Sequence, residues 1–280
     1  MRVLIFGASG LIGSNLFRYL SDNRKFEVFG TYRNEAALTY FFDNVKSKLI
    51  FFECGNTDLN QLVKKLKPDW VINALGITKH VDDSKNIPKM IQVNTVFPHQ
   101  LAQVCSEFSA KLIQISTDCV FSGEKGNYHE ADFHDAVDLY GKSKALGEVV
   151  YGNNLTFRIS TIGRELIANY GLLEWFLRQR ESCLGYKSAI FSGIPSKYLG
   201  YVLTEHVLDR ATLTGLYHIA SKPINKHALL QELAVFYNIN IEIIESNDLS
   251  IDRSLNSDKF SIATGYVQPS WSDLINNDWL

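Results

Sequence analysis

Tyr140 and Lys144, four residues apart in Tyr140-Gly141-Lys142-Ser143-Lys144, are the pair whose types and spacing could do chemistry. On a helix that spacing puts both side chains on one face, a turn apart. A free phenol ionises near pH ~10, so it is a poor acid or base at neutral pH unless a nearby cation stabilises its anion. Lys144 is placed to supply that charge, leaving Tyr140 to protonate an alkoxide forming on a reduced carbonyl. Such a site needs a group to orient the carbonyl. Ser116-Thr117-Asp118-Cys119-Val120-Phe121 follows the apolar run Lys111–Ile115 and offers Thr117, whose hydroxyl can hydrogen-bond an oxygen on which charge builds. Taken singly, Tyr-x-x-x-Lys reads as an ordinary helix pair and Ser-Thr-Asp as a turn. Together, in this order, they describe a proton-transfer site.

Carbonyl reduction also needs a hydride donor, and Gly7-Ala8-Ser9-Gly10-Leu11-Ile12-Gly13 points to one. The segment follows an apolar run and opens an amphipathic one, where a dinucleotide fold binds pyrophosphate. Gly7 permits the tight turn, Gly10 the close approach of phosphate, and Gly13 the packing of helix on strand. Ser9, Leu11 and Ile12 complete the turn, and the helix N-terminus adds unpaired N–H donors. The spacing is GxxGxxG rather than GxGxxG, which points to the short-chain group of dehydrogenases. Arg33 lies 20 residues after Gly13, where NAD sites place an acid on the ribose hydroxyl. An arginine there can pair with a 2′-phosphate, so NADPH is the expected reductant, with NADH as the alternative. The bland readings are a flexible turn and a solvated arginine.

These residues must be positioned by an α/β framework. Short β-branched runs at Val3–Phe6, Glu27–Tyr32, Leu49–Glu53, Trp70–Asn73, Lys111–Ser116 and Leu155–Ile159 alternate with helical periodicity near Leu11–Ser21, Leu59–Leu66, Val93–Phe108 and Tyr140–Tyr151. Asp58 and Pro68 supply start and stop signals for the second helix. The pattern predicts a Rossmann-type, doubly wound parallel sheet, with ligands beyond the carboxyl ends of its strands, where Thr117 falls. After Ile159 a helix is expected near Leu172–Glu181, a loop at Ser192–Lys197, a helix near Leu199–Ala211, a strand at Gly215–Ala220 and a helix near Lys226–Tyr237. We read residues 1–160 as a dinucleotide domain and 161–280 as a small substrate lobe interleaved with the last sheet elements, the cleft between them holding the ligands.

The combined motifs resemble those of the dTDP-4-dehydrorhamnose reductase family of extended short-chain dehydrogenases/reductases. The matching segments are Gly7–Gly13, Val71-Ile72-Asn73-Ala74, Val93-Asn94, Ser116–Gly123, Tyr128-x-Glu130, Tyr140–Lys144 and Arg158-Ile159-Ser160, and they span about the first 165 residues. The resemblance implies NADPH-dependent reduction of the 4-keto group of a nucleotide-diphosphate sugar, with Thr117, Tyr140 and Lys144 as the catalytic trio. It implies that Asn73, Ala74 and Gly76 line the cofactor, that Asp118 and Val120 shape the pocket, and that Arg253 holds the nucleotide-sugar. The sequence departs from the pattern at Cys54-Gly55-Asn56-Thr57-Asp58, where relatives often carry an aspartate near adenine; Asn56 or Asp58 is the expected substitute. The Arg253 segment also lacks the proline common in the reductases.

With 21% charged residues, 46% hydrophobic residues and a net charge of −2, the chain reads as an ordered globular protein without a basic face for nucleic acid or an anionic membrane. No run approaches the ~20 apolar residues of a membrane span, and the opening apolar run is too short for a signal segment, so a cytoplasmic location is expected. Cys54, Cys105, Cys119 and Cys183 lack metal-ligand spacing and are expected as buried free thiols. The cluster His129-Glu130-Ala131-Asp132-Phe133-His134-Asp135 is read as a polar loop, and the chemistry needs no metal. Trp271 and Trp279 are expected to pack on the small lobe, and a homodimer follows only from the general frequency of two-fold assemblies. Rival readings are an epimerase or dehydratase that retains NAD, the latter disfavoured because Cys119 follows Asp118 where dehydratases carry a second acid, and a non-catalytic cofactor-binding subunit.

Overall fold

Residues 1–41, 43–79, 85–167, 170–210 and 212–280 are described in the computed structural model. Alternation along the first strand shows how the fold is layered. In β1 (Arg2–Phe6), Val3 and Ile5 point into one apolar core and Leu4 and Phe6 into another. All four are fully buried, as expected of a parallel strand covered on both faces. Around β1 assemble β2 (Glu27–Tyr32), β3 (Leu49–Phe51), β4 (Trp70–Asn73), β5 (Lys111–Thr117), β6 (Leu155–Ile159) and a seventh strand, Gly215–His218. All pair in parallel, in the order β3-β2-β1-β4-β5-β6 followed by the seventh strand. Strand order reverses between β1 and β4, which opens a crevice at the strands' carboxyl ends.

The expected strands are present with small changes of length. β3 stops at Phe51, two residues early, because the Glu53 amide turns to the Thr57 hydroxyl. Helices α1 (Leu11–Ser21) and α3 (Leu59–Leu66) match the sequence reading, with the short α2 (Asp43–Lys46) between them. Asp58 caps α3 by accepting from the Gln61 amide, and Lys67 ends it in a left-handed conformation before Pro68.

The helix expected at Val93–Phe108 begins earlier, as α4 (Ile87–Ile91). It passes through a π-type turn at Gln92–Val96 into α5 (Phe97–Glu107). The widened turn buries Asn94, whose side chain accepts from the Ile77 amide and donates to the Ile77 carbonyl and the Ser143 hydroxyl. α6 (Leu139–Leu146) ends five residues before the predicted Tyr151. There the Val149 amide and carbonyl pair with the Thr156 hydroxyl, drawing the chain off the helical path.

The second half departs further. The helix expected at Leu172–Glu181 stops at Leu177, and a strand follows at Ser182–Tyr186, pairing in parallel with Glu242–Ser246. Within the expected loop, Ile194–Pro195 pairs with Thr161–Ile162. The next helix runs Ser196–His206, earlier than predicted, while Ala211, the predicted end, lies outside the described residues. The predicted strand Gly215–Ala220 ends at His218 and the predicted helix Lys226–Tyr237 at Phe236. Helices Asp258–Thr264 and Trp271–Asn276 complete the chain. Trp271 is buried against Phe191, and Trp279 packs on Tyr19, Tyr198 and Tyr201. Both tryptophans thus pack within this chain. All four cysteines are free thiols, Cys105 and Cys183 buried but Cys54 and Cys119 only half-buried, and no helix among the described residues is long and apolar enough to cross a membrane.

Candidate active site

The glycine turn sits at the carboxyl end of β1, stitched to β2 by the Gly7 amide on the Thr31 hydroxyl and the Ala8 amide on the Thr31 carbonyl. Gly7 has φ +82°, which other residues rarely adopt. A Cβ on Gly13 would lie 2.1 Å from the Gly7 carbonyl oxygen, so helix and turn approach at a distance only glycine allows. No side chain caps α1, which leaves its first amides free for an anion. Arg33, exposed just past β2, stands beyond the same edge.

The turn after β4 joins this site to the helix carrying the tyrosine and lysine. The Gly7 α-carbon faces the Ala74 backbone, and Asn73 fixes the turn by accepting from the Leu75 amide while donating to Gln114. A Cβ on Gly76 would stand 3.9 Å from Lys144 Nζ. Lys144 is buried, and its ammonium donates to the Ile115 carbonyl at 2.6 Å. Burial pushes its pKa down to about 8, opposed by the Glu148 carboxylate.

α6 starts under an Asp138 cap, and a Cβ on Gly141 would meet the Cys119 carbonyl oxygen at 2.2 Å. That close approach brings Tyr140 to the end of β5, where its phenol lies within the influence of Thr117. Burial, together with the Cys119, Asp118 and Asp138 side chains, raises the phenol pKa above its ordinary value, against the effect of Thr117. The sequence reading had Lys144 lowering it. Here the ammonium is turned to the Ile115 carbonyl, and the phenol stays protonated.

The Thr117 hydroxyl donates to Asp118 at 3.0 Å and accepts from the Cys119 amide at 3.1 Å. Burial raises the Asp118 pKa, against the Thr117 hydrogen bond, the charge of Arg253 and the nearby Ser160. Burial likewise pushes the Cys119 thiol up to about 12, with Asp118 adding to the effect.

Arg253 reaches this spot from the far end of the chain. Its Nε donates to the Phe121 carbonyl at 2.8 Å and its Nη1 lies 3.8 Å from Cys119 Sγ. The segment is held by a bridge between Tyr128 and Leu255 and by the Asp252 amide on the Gly123 carbonyl.

One expectation changes with packing. Val120 does not line a pocket: its side chain is fully buried with Phe121, Tyr128, Ala220 and Leu255, because the turn after β5 folds it inward. Asp58 caps α3, and the Asn56 side-chain amide donates to Glu53. The histidine-rich loop has structural partners, with Asp132 on Lys125, Asp135 on Ser122 and His134 on Arg158 and Glu148.

Over residues 1–165 the sequence matches the model of the RmlD substrate binding domain. The chain belongs to that family. Among RmlD relatives, the dTDP-4-dehydrorhamnose reductase of Salmonella typhimurium is 25% identical over 296 residues, covering 97% of this chain and 94% of the relative. That of Aggregatibacter actinomycetemcomitans is 26% identical over 232 residues, covering 79% and 74%. A Bacillus anthracis dTDP-4-dehydrorhamnose reductase, solved in complex with NADP, shares the fold with a TM-score of 0.80 at 20% identity, covering 99% of this chain and 97% of that one.

Sequence reasoning missed two groups beside this RmlD-type site. Lys79 and Lys226 join the expected Arg253 from distant segments and act electrostatically on Cys119, Lys226 and Arg253 on Asp118 as well. Beneath β5 lies a buried Arg158–Glu148 pair joined by Ser116, His134 and His218. Arg158 stood in a recognised motif, but nothing local in the sequence links it to Glu148.

Proposed function

We propose that the chain is a reductase that uses NADPH to reduce the 4-keto group of a nucleotide-activated 6-deoxysugar, in the synthesis of deoxysugars or surface polysaccharide. The observation that carries this reading is the meeting of Thr117, Tyr140 and Lys144 at the carboxyl end of β5, next to the turn that packs on Gly7. In this reading residues 1–160 hold the cofactor, and residues 161–280 form the substrate wall, with Arg253 as its cation.

The residues present fit a dinucleotide. The open N-terminus of α1 would receive pyrophosphate, Arg33 a 2′-phosphate, and Gly76 and Lys144 the nicotinamide end. Bound there, NADPH supplies the hydride. A carbonyl entering the cleft draws the Thr117 hydroxyl away from Asp118, and Thr117 orients the oxygen as charge develops on it. Tyr140, kept protonated by burial, holds its proton until that alkoxide is there to receive it. Lys144, with a pKa of about 8, is mostly charged at neutral pH and would stabilise the phenolate left behind by turning to it from the Ile115 carbonyl. Lys79, Lys226 and Arg253, which act together on the Asp118–Cys119 turn, would carry a charge suited to a nucleotide's diphosphate.

The test is a panel of nucleotide-linked 4-keto-6-deoxysugars, with nicotinamide absorbance followed in wild type and Tyr140→Phe. Wild type should consume NADPH in proportion to substrate, whereas an epimerase or dehydratase shows no net change. Tyr140→Phe should lose about 10²–10⁴-fold in kcat while binding NADPH normally. No oxidation with any sugar, or unchanged turnover in the variant, overturns the proposal.

A further inference from the structure

Tyr140, Lys144 and Glu148 follow one another at four-residue spacing. α6 ends at Leu146, but the Gly147 amide bonds the Lys144 carbonyl and the Glu148 amide the Ala145 carbonyl, so the chain keeps turning. Glu148 therefore stays on the side that faces β5. There the stripe meets three consecutive residues: Tyr140 comes beside Thr117, Lys144 donates to the Ile115 carbonyl at 2.6 Å, and Glu148 accepts from the Ser116 hydroxyl at 2.7 Å.

Strand register explains how Glu148 is held. Ser116 lies opposite Arg158, and Arg158 opposite His218, giving a polar row across three adjacent strands. The Glu148 carboxylate takes Arg158 Nε and Nη2, each at 2.8 Å, and His134 Nε2 lies 3.4 Å from it. Glu148 and Arg158 are both buried.

We infer that Glu148 is a positioning residue for the reduction, fixing the end of β5 that bears Thr117 and supplying the counter-charge to the buried Lys144 ammonium. This inference rests on the reductase reading. A buried ion pair adds little net stability over an apolar pair of the same shape, so stability alone is a weak reason for one. This pair is tied by hydrogen bond to the strand of Thr117 and by charge to Lys144. The groups that face Glu148 are Arg158 from β6, His134 from the loop before α6, Ser116 from β5, Lys144 from α6 and, through Arg158, His218 from the seventh strand. Those that face Lys144 are Glu148, the Ile115 carbonyl and Gly76. Removing the negative charge leaves an ammonium buried beside a carbonyl, easier to deprotonate.

The test measures kcat and KM from acid to alkaline pH for wild type, Glu148→Gln and Ser116→Ala, with NADPH and the sugar that wild type reduces. Wild type should lose activity as pH rises through the Lys144 pKa of about 8. In Glu148→Gln that limb should move about one pH unit lower, a ten-fold loss of kcat on the alkaline side with near-normal rates in acid. A purely structural role would lower the rate evenly at every pH. Ser116→Ala keeps the ion pair and cuts only its link to β5, so kcat should fall about ten-fold at constant KM and with an unmoved limb. An unmoved limb in Glu148→Gln, or unchanged kcat in Ser116→Ala, overturns the inference, and the second result decides it even if Glu148→Gln does not fold. Wild type that reduces no sugar defeats the reductase reading instead.

Discussion

His218 should make the protein sensitive to acid well above the range of its carboxylates. Its side chain is fully buried, with Nδ1 3.1 Å from both the Tyr128 and Asn256 carbonyls and Nε2 3.2 Å from Arg158 Nη1. Carbonyls only accept and a guanidinium only donates, so the partners assign the proton to Nδ1 and leave Nε2 as acceptor. Burial, reinforced by Arg158, holds the imidazole pKa down to about 3. In the unfolded chain the same group titrates near pH ~6.5. Below that the unfolded chain binds a proton that the folded chain refuses, so stability falls as pH drops from about 6.5 towards 3 and is unaffected above this window. At about 1.4 kcal/mol per unit, the loss is about 3 kcal/mol by pH ~4.5 and about 5 kcal/mol across the window. Glu148, held down to about 2 because Arg158, His134 and Ser116 outweigh the effect of burial, works in a different range. Its stability is present above about pH 4.5 and is lost only as pH falls towards 2. Urea unfolding of wild type and His218→Gln between pH 7 and 4.5 isolates the imidazole. Glutamine donates and accepts without titrating, so the variant should be about 1–3 kcal/mol less stable at neutral pH yet flatter as pH falls, and the gap should close. Equal slopes for the two proteins would refute the argument.

Two further perturbations test the cofactor site. Gly13→Ala forces the turn and α1 apart, because the added methyl would lie 2.1 Å from the Gly7 carbonyl oxygen; strain of about 1–3 kcal/mol should appear in urea unfolding, and NADPH affinity by fluorescence titration should drop at least ten-fold. Arg33→Ala should weaken NADPH by about 10–100-fold, the worth of a charge-assisted bond of about 1.5–3 kcal/mol, and leave NADH unchanged; equal loss for both cofactors would remove the 2′-phosphate role.

The sheet was legible because its strands are short apolar runs separated by helical periodicity, a signal that survives without knowledge of packing. The two clusters at the carboxyl ends of β1 and β5 were legible because their residues are adjacent in sequence. Legibility failed where a distant partner decides the outcome. α6 stops when Thr156, ten residues beyond its last residue, captures Val149. Val120 reads as a pocket residue from its motif and is a core residue from its packing. Ser182–Tyr186 and Glu242–Ser246 form strands only by pairing with each other across 60 positions, and neither carries an alternating apolar pattern strong enough to announce it. The Ser116–Arg158–His218 row exists only once three strands are in register.

The attachment of Ile251–Leu255 to the loop between Gly123 and Tyr128 has a consequence for how the molecule is made. Every element from the glycine turn to Lys144 emerges from the ribosome more than a hundred residues before Arg253. In the proposed reading, a nascent chain halted short of that arginine would lack the cation on one flank of the sugar site. In that reading, Arg253 is the last of the proposed site residues to be synthesised.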